Sequence, residues 1–234
     1  MSLRFGLVKT SLIDYPGKVS AVVFTHGCNF CCPYCHNPEL VLGSPPDDFI
    51  DEEELMAFLE RRKTVLGGVV ITGGEPLIHP EIPSLSRRIR SLGLSIKIDT
   101  NGSFPERLKE CEADFVALDL KTAFPRYKLL LASRSDAGKI ANSIRASLRY
   151  LKETDIPYQL RTTMVPGIVG PEDLRELLKD LNGCRGRYLL SGFRNTETLD
   201  PAYGAVRAYG DEELYSSAEI LENAGIQTQI RLNR

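Results

Sequence analysis

The stretch "THGCNFCCPYCHNPEL" (residues 25–40) sets Cys28, Cys31, Cys32 and Cys35 close together, with His26 and His36 at the flanks. One reading gives two overlapping C-x-x-C pairs. The other gives C-x-x-x-C-x-x-C on Cys28, Cys32 and Cys35, with Cys31 to spare. Cys31 and Cys32 are adjacent, so their side chains tend to point apart. Pro33 biases Cys32 toward extended backbone, which predicts an irregular loop that wraps something. Three thiolates at i, i+4 and i+7 can surround a compact body while Cys31 faces elsewhere.

Three kinds of chemistry compete for this loop. Structural zinc takes four ligands, usually from two separated knuckles. Cys111 and Cys184 stand alone in the sequence, so no second knuckle exists, although Cys28, Cys31, Cys35 and His36 could complete a site. A redox dithiol normally opens a helix, and Pro33 fits that poorly. An iron–sulfur cubane normally takes four thiolates, and three would leave one iron open to bind something else. The residues of the loop leave these alternatives open.

The rest of the chain sets the context. Its 234 residues suit a single domain, with 42% hydrophobic and 26% charged residues and a formal net charge of −2. That balance gives no field for nucleic acid or an anionic membrane. The segment "MSLRFGLVKTSLIDYPG" shows neither an apolar signal core nor a small-residue cleavage site. No apolar run approaches the roughly 20 residues that span a bilayer. The expected location is therefore cytoplasmic. In a reducing compartment, clustered cysteines indicate metal or redox chemistry rather than disulfides. Cys111 and Cys184 read as small buried hydrophobes.

Short β-rich runs alternate with amphipathic segments. Strands are expected at 19–27, 68–74, 95–102, 114–121, 158–165, 187–193 and 226–232. Helices are expected at 51–63, 81–93, after Pro105, and at 137–155, 171–183 and 211–225. Asp51 caps the first of these, acids fill its first turn and bases its last. In 137–155, Ile140, Ile144, Leu148 and Leu151 recur at helical spacing. Such alternation predicts a parallel sheet. A closed eight-unit barrel takes about 250 residues, and this chain also spends residues on the cysteine loop and an N-terminal hairpin. The expected fold is α/β: an incomplete (β/α)6 TIM-like barrel with an N-terminal hairpin, with a doubly wound sheet as the alternative. After the apolar run of each strand but the last comes a small polar signature, "HGC", "TGGEP", "DTNG", "DLK", "RTT" or "GFRN". Carboxyl ends of strands form the active face of such folds, so one composite site is expected there.

Taken with its surroundings, "CNFCCPYC" resembles the C-x-x-x-C-x-aromatic-C signature of radical S-adenosylmethionine (SAM) enzymes, with Tyr34 as the aromatic. The longer text "GLVKTSLIDYPGKVSAVVFTHGCNFCCPYCHNPEL" resembles the opening of anaerobic ribonucleoside-triphosphate reductase activating proteins, which are glycyl-radical activases. The likeness continues through "ITGGEPL", "KIDTNG", "ADFVALDLK", "RTTMVPG" and "GFRNTETLDP", covering roughly residues 5 to 202.

That resemblance implies a [4Fe-4S] cluster on Cys28, Cys32 and Cys35, with the open iron chelating SAM. Reductive cleavage would yield a 5′-deoxyadenosyl radical that takes hydrogen from a glycine of a partner. Zinc has no accessible redox step, whereas iron–sulfur potentials reach down to roughly −700 mV. Tyr34, Cys35 and His36 would lie on the adenine side, and Gly73, Gly74 and Glu75 at the methionine part. Asp99 and Asn101 would hold the ribose and carboxylate end, Lys121 and Arg161 would contact SAM or a carboxylate, and Arg194 would lie nearby. A monovalent cation near Asp99 and Asp119 is also implied. The implied partners are an anaerobic ribonucleotide reductase and a low-potential donor such as flavodoxin or ferredoxin. "SGFRN" departs from the family's more usual "QQFRP", and a thiol at Cys31 is also unusual. Two rivals remain: the same cofactors acting on a small molecule or another peptide, and a non-catalytic metal or electron-transfer module.

On the residues alone, "GGEP" and "DTNG" also read as glycine turns, and "DLK" as a structural ion pair. Arg161 sits in a strand between apolar residues, so it should find a carboxylate partner: SAM, Asp119 or Glu75.

Overall fold

Apolar β-branched runs and capped amphipathic segments alternate along the chain, and the structure, a computed structural model describing residues 3–132 and 135–233, follows that alternation. Strand β1 (Phe5–Ser11) pairs antiparallel with β2 (Ser20–Thr25), forming the N-terminal hairpin. Then follow α1 (Glu52–Arg62), β3 (Gly68–Gly73), α2 (Ile82–Ser91), β4 (Ser95–Thr100), α3 (Pro105–Glu110) and β5 (Phe115–Asp119). The second half runs α4 (Ala137–Glu153), β6 (Tyr158–Met164), α5 (Pro171–Leu181), β7 (Arg187–Gly192), α6 (Asp211–Glu222) and β8 (Thr228–Arg231). The strands lie in chain order from β1 to β8, and β1 and β8 are the edges of an open sheet. This is the expected α/β architecture, with a helix between each strand and the next from β2 onward.

Two compact units divide the chain. One comprises Met1–Asn29, Glu39–Thr100 and Phe104–Val116. In it β2, β3 and β4 pair in parallel, with Val22 opposite Val70 and Val70 opposite Lys97. Asp51 accepts the amide of Glu54 and so caps α1, as expected. Leu55 and Leu59 of α1 and Ile82, Leu85 and Ile89 of α2 are fully buried. Each such side chain contributes about 1.5–3 kcal/mol on leaving water. Arg107 of α3 donates to the carbonyls of Leu77 and Ile78, fixing the chain beyond β3.

The other unit comprises Phe30–Pro38, Asn101–Ser103 and Ala117–Arg234. Here β6, β7 and β8 pair in parallel. Along β6 burial alternates residue by residue: Leu160, Thr162 and Met164 are buried, while Arg161 and Thr163 share the less buried face. Ile144, Leu148 and Leu151 of α4 and Leu174 and Leu177 of α5 are buried in the same unit.

Most of the expected boundaries move by one or two residues. The strand expected at 114–121 ends at Asp119. The amide of Lys121 is taken by the Tyr127 hydroxyl at 3.2 Å rather than by a neighbouring strand.

Candidate active site

Each polar signature lies at or just beyond the carboxyl end of its strand, except that Arg161 stands within β6. Their surroundings differ between the two units.

In the first unit the "GGEP" turn is built against the backbone that leads into the cysteine loop. Gly74 N donates to Thr25 O at 3.0 Å and Glu75 N to Gly27 O at 2.9 Å. A side chain on Gly73 would meet the Thr25 carbonyl at 2.2 Å, and one on Gly74 the Gly27 carbonyl at 2.1 Å. Glycine is thus required here by the protein's own backbone. Gly27 itself, at φ +94°, turns the chain directly before Cys28, and its amide donates to Leu40 O at 2.7 Å. Glu75 is buried, and its Oε1 accepts Thr100 Oγ1 at 2.7 Å and the Leu77 amide at 3.1 Å. That carboxylate therefore helps to hold its own turn in shape. Asp99 receives Lys97 Nζ at 2.6 Å, and Lys97 is buried.

In the second unit Cys32 and Cys35 close a short turn, with Cys35 N donating to Cys32 O at 3.0 Å. The segment after β7 latches onto it: Leu199 N donates to Cys35 O at 2.8 Å and Asp200 N to Pro33 O at 2.9 Å. The ring of His36 stacks on Phe193, with centroids 5.5 Å apart and planes at 15°. Its Nδ1 lies 3.1 Å from Glu197 O and 3.3 Å from Thr196 Oγ1. Tyr34 is buried and meets Phe193 edge-on at 6.4 Å. No partner for its hydroxyl exists among the described residues.

Cys32 is also buried, and burial pushes its thiol up to about 12; Cys35, Asp119 and Cys31 add to the shift while Lys121 opposes it. A thiolate there needs a positive partner of its own, which a metal centre supplies. Cys31 is exposed, and its amide donates to Leu130 O at 2.8 Å.

Asp119 sits between two cations. Arg161 Nε is 2.5 Å from its Oδ1 and Lys121 Nζ is 2.8 Å from its Oδ2. Burial works against ionisation of this carboxyl, yet Arg161 and Lys121 outweigh it and hold it well below the usual carboxylate range. Lys121 is correspondingly raised: burial lowers it, but the charges of Asp119 and Cys32 more than reverse that. Asp119, one of the carboxylates expected for Arg161, meets it here. The two aspartates expected beside a monovalent cation each already bind a cationic side chain. Asn101 accepts the Ser103 amide at 3.0 Å and the Ser103 hydroxyl at 2.5 Å, the side-chain turn that its "NG" pair allows. Arg194 is exposed, immediately after Phe193.

Sequence reading singled out Arg194 in the "GFRN" block but missed its neighbours. Phe193, Thr196, Glu197, Leu199 and Asp200 grip the cysteine loop. The block's position after a strand was the available signal. Thr100 was also missed as the partner of Glu75.

The donor chemistry of the loop fits a [4Fe-4S] cluster. Its cysteines form no disulfide, sulfur is the iron ligand of such clusters, and the buried Tyr34 hydroxyl beside them lacks an acceptor. Among the described residues, no three Cys, His, Asp or Glu side chains are already gathered as a metal-ligand set.

Comparison with known proteins agrees with this chemistry. Residues 22–181 match the radical SAM superfamily. A Methanocaldococcus jannaschii protein named "Putative glycyl-radical enzyme activating enzyme" is 32% identical over 97% of this chain and 96% of its own length. The pyruvate formate-lyase-activating enzyme of Staphylococcus epidermidis is 28% identical over 71% of this chain and 69% of its own. Among solved structures, Streptococcus suis SuiB bound to S-adenosylmethionine superposes with a TM-score of 0.64. It is 15% identical, over 88% of this chain and 48% of its own. QueE from Escherichia coli gives a TM-score of 0.57 at 14% identity, over 98% and 92%. These structures establish the shared fold. The chain belongs to the radical SAM superfamily, among the activating enzymes of glycyl-radical enzymes.

Proposed function

We propose that Cys28, Cys32 and Cys35 hold a [4Fe-4S] cluster next to SAM, and that the protein activates an anaerobic ribonucleoside-triphosphate reductase. The carrying observation is the near-full-length likeness to a protein named as a glycyl-radical activating enzyme, together with the C-x-x-x-C-x-x-C loop. The choice of reductase rests on the resemblance of residues 6–40 to that branch. When bound, cluster and SAM supply a one-electron cleavage that gives a 5′-deoxyadenosyl radical, and glycine suits as its target because its Cα radical is delocalised over the flanking peptide groups.

The chain's own residues bind and orient. Gly73, Gly74 and Glu75 fix the backbone before Cys28 and present the turn to the methionine part of SAM. Asp99 and Asn101 serve the ribose and carboxylate end. Lys121 and Arg161, held in place by Asp119, offer positive charge to the SAM carboxylate. Tyr34 and His36 lie on the adenine side, with His36 fixed by its stack on Phe193; Arg194 extends from the same segment. Electrons come from a low-potential donor such as flavodoxin or ferredoxin.

The test begins with anaerobically reconstituted protein, dithionite and SAM, and 5′-deoxyadenosine is the expected product. Adding the reductase should then give the EPR doublet of a glycyl radical. A colourless, zinc-loaded protein that makes no 5′-deoxyadenosine would overturn the reading in favour of a metal module. Intact SAM cleavage without a doublet would replace the reductase by a small molecule or another peptide.

A further inference from the structure

Lys97 is a charged residue in an apolar row. Val22, Val70 and Lys97 stand in register across β2, β3 and β4, and so share one face of the sheet. Val22 and Val70 pack there with Tyr15, and Phe24 and Phe115 join them. Lysine is almost never fully buried unless it is paired, and Lys97 is only 4% exposed. Its ammonium lies 2.6 Å from Asp99 Oδ1, two residues further along the same face. β4 ends at Thr100, so Asp99 stands at the carboxyl end of the strand and Lys97 one step below it.

Stability does not explain this pair. Well-packed apolar side chains of similar volume serve a buried position as well as an ion pair, or better. What Lys97 brings is one fixed positive charge, held against a carboxylate that the sequence assigns to the SAM site.

The resemblance to activating proteins implies a monovalent cation near Asp99 and Asp119. The residues present do not fit one. A metal ion on Asp99 would share a single carboxylate with the Lys97 ammonium, and little water is there to screen the two like charges. Asp119 holds Arg161 on one oxygen and Lys121 on the other. An ammonium and a monovalent metal ion carry the same charge, and both take carboxylate oxygens. The ammonium differs in being tethered, so it cannot be diluted away.

We propose that Lys97 is the built-in counter-cation of Asp99 and takes the place of a monovalent metal ion, so that this protein binds SAM without one. The proposal rests on the assignment of Asp99 to the SAM site. Lys97 acts through Asp99 and is a positioning residue.

The experiment compares sodium, potassium and N-methylglucamine chlorides at equal ionic strength, the last ion being too large to sit on a buried carboxylate. Anaerobically reconstituted wild type should hold labelled SAM equally in all three by equilibrium dialysis. Tighter binding in sodium or potassium overturns the proposal. Thermal melts of the cluster-free proteins give the second readout. Wild type should melt at the same temperature in the three salts, and an ion-specific rise overturns the proposal. Lys97→Ala should melt roughly 6–20 °C lower in N-methylglucamine, because it leaves a buried charge unpaired. It should recover by several degrees in sodium or potassium, which a purely structural lysine would not produce. No ion-specific recovery overturns the proposal. The recovery should vanish in Lys97→Ala/Asp99→Asn, and its persistence would place the ion elsewhere, against the proposal. If Lys97→Ala does not fold, Lys97→Gln, which keeps the length and loses the charge, takes its place in the same comparison. Failure of wild type to bind SAM in any salt would instead overturn the SAM-site reading, and the melts would still decide the role of Lys97.

Discussion

Asp119 and Arg161 meet through a direct ion pair, Oδ1 to Nε at 2.5 Å, and the second carboxylate oxygen is taken by Lys121 at 2.8 Å. One anion therefore orients two cations from different parts of the chain. All three side chains are largely withdrawn from solvent, with 19%, 26% and 28% of the side-chain surface exposed for Asp119, Arg161 and Lys121. Removing the anion leaves two like charges facing each other. Asp119→Asn should lower stability at neutral pH by about 3 kcal/mol, the lower end for breaking a buried pair. The sign of the pH dependence follows from a folded-state pKa held below the unfolded value of about 3.9. The stabilisation is complete above about pH 4 and is lost as pH falls toward the folded value. Urea melts of both proteins from pH 7 downward should show the gap closing only in strong acid. A gap that stays constant throughout would assign the cost to something other than the carboxylate charge.

The thiols separate by role. Cys31→Ser should reconstitute with the iron and sulfide content of the wild type, since its side chain is exposed while its backbone does the holding. Cys32→Ser should lose the cluster. Iron and sulfide analysis after anaerobic reconstitution decides both, and the reverse pattern would transfer the ligand role to Cys31.

Gly74 offers a steric test. In Gly74→Ala the added carbon would lie 2.1 Å from the Gly27 carbonyl oxygen and 2.6 Å from its carbon, neither of which can rotate away. Overpacking of this kind costs about 1–3 kcal/mol or more. Because the strain falls on the residue before Cys28, cluster uptake should drop as well. Gly93→Ala is the control: that position, at φ +82°, has open space around it. It should lose about 1 kcal/mol from backbone conformation alone and keep its iron. Equal iron uptake by the two variants would detach the glycine turn from the cysteine loop.

The alternation of strands and helices was legible because it depends on local periodicity and caps. Asp51, the apolar spacing of α4 and the Pro171 start of α5 are all short-range signals, and each element formed where they pointed. Arg161 was legible in part, since a strand arginine between apolar neighbours must find a carboxylate, and Asp119 supplies it. The Thr100–Glu75 bond was not, because it joins the end of β4 to the turn beyond β3, a pairing that no local pattern states. The same holds for His36 on Phe193. The motif reading gave weight to Arg194, the charged residue of its block, whereas the described contacts with the loop come from an apolar ring, backbone groups and the Thr196 hydroxyl. The glycines of "GGEP" read in the sequence as a turn, and the Thr25–Gly27 backbone packed against them is what that reading could not supply.

The latch between the segment after β7 and the cysteine loop also bears on biosynthesis. His36 and Glu197 are 161 residues apart in the chain. Closing so long a loop is entropically demanding and favours late formation of the contact. On the ribosome, synthesis proceeds at roughly 5–20 residues per second, so the thiols emerge well before the strand and segment that restrain them. During that interval the loop is chemically competent but geometrically loose. A nascent chain stalled before residue 199 should expose Cys32 to alkylating reagents, and release to full length should shield it.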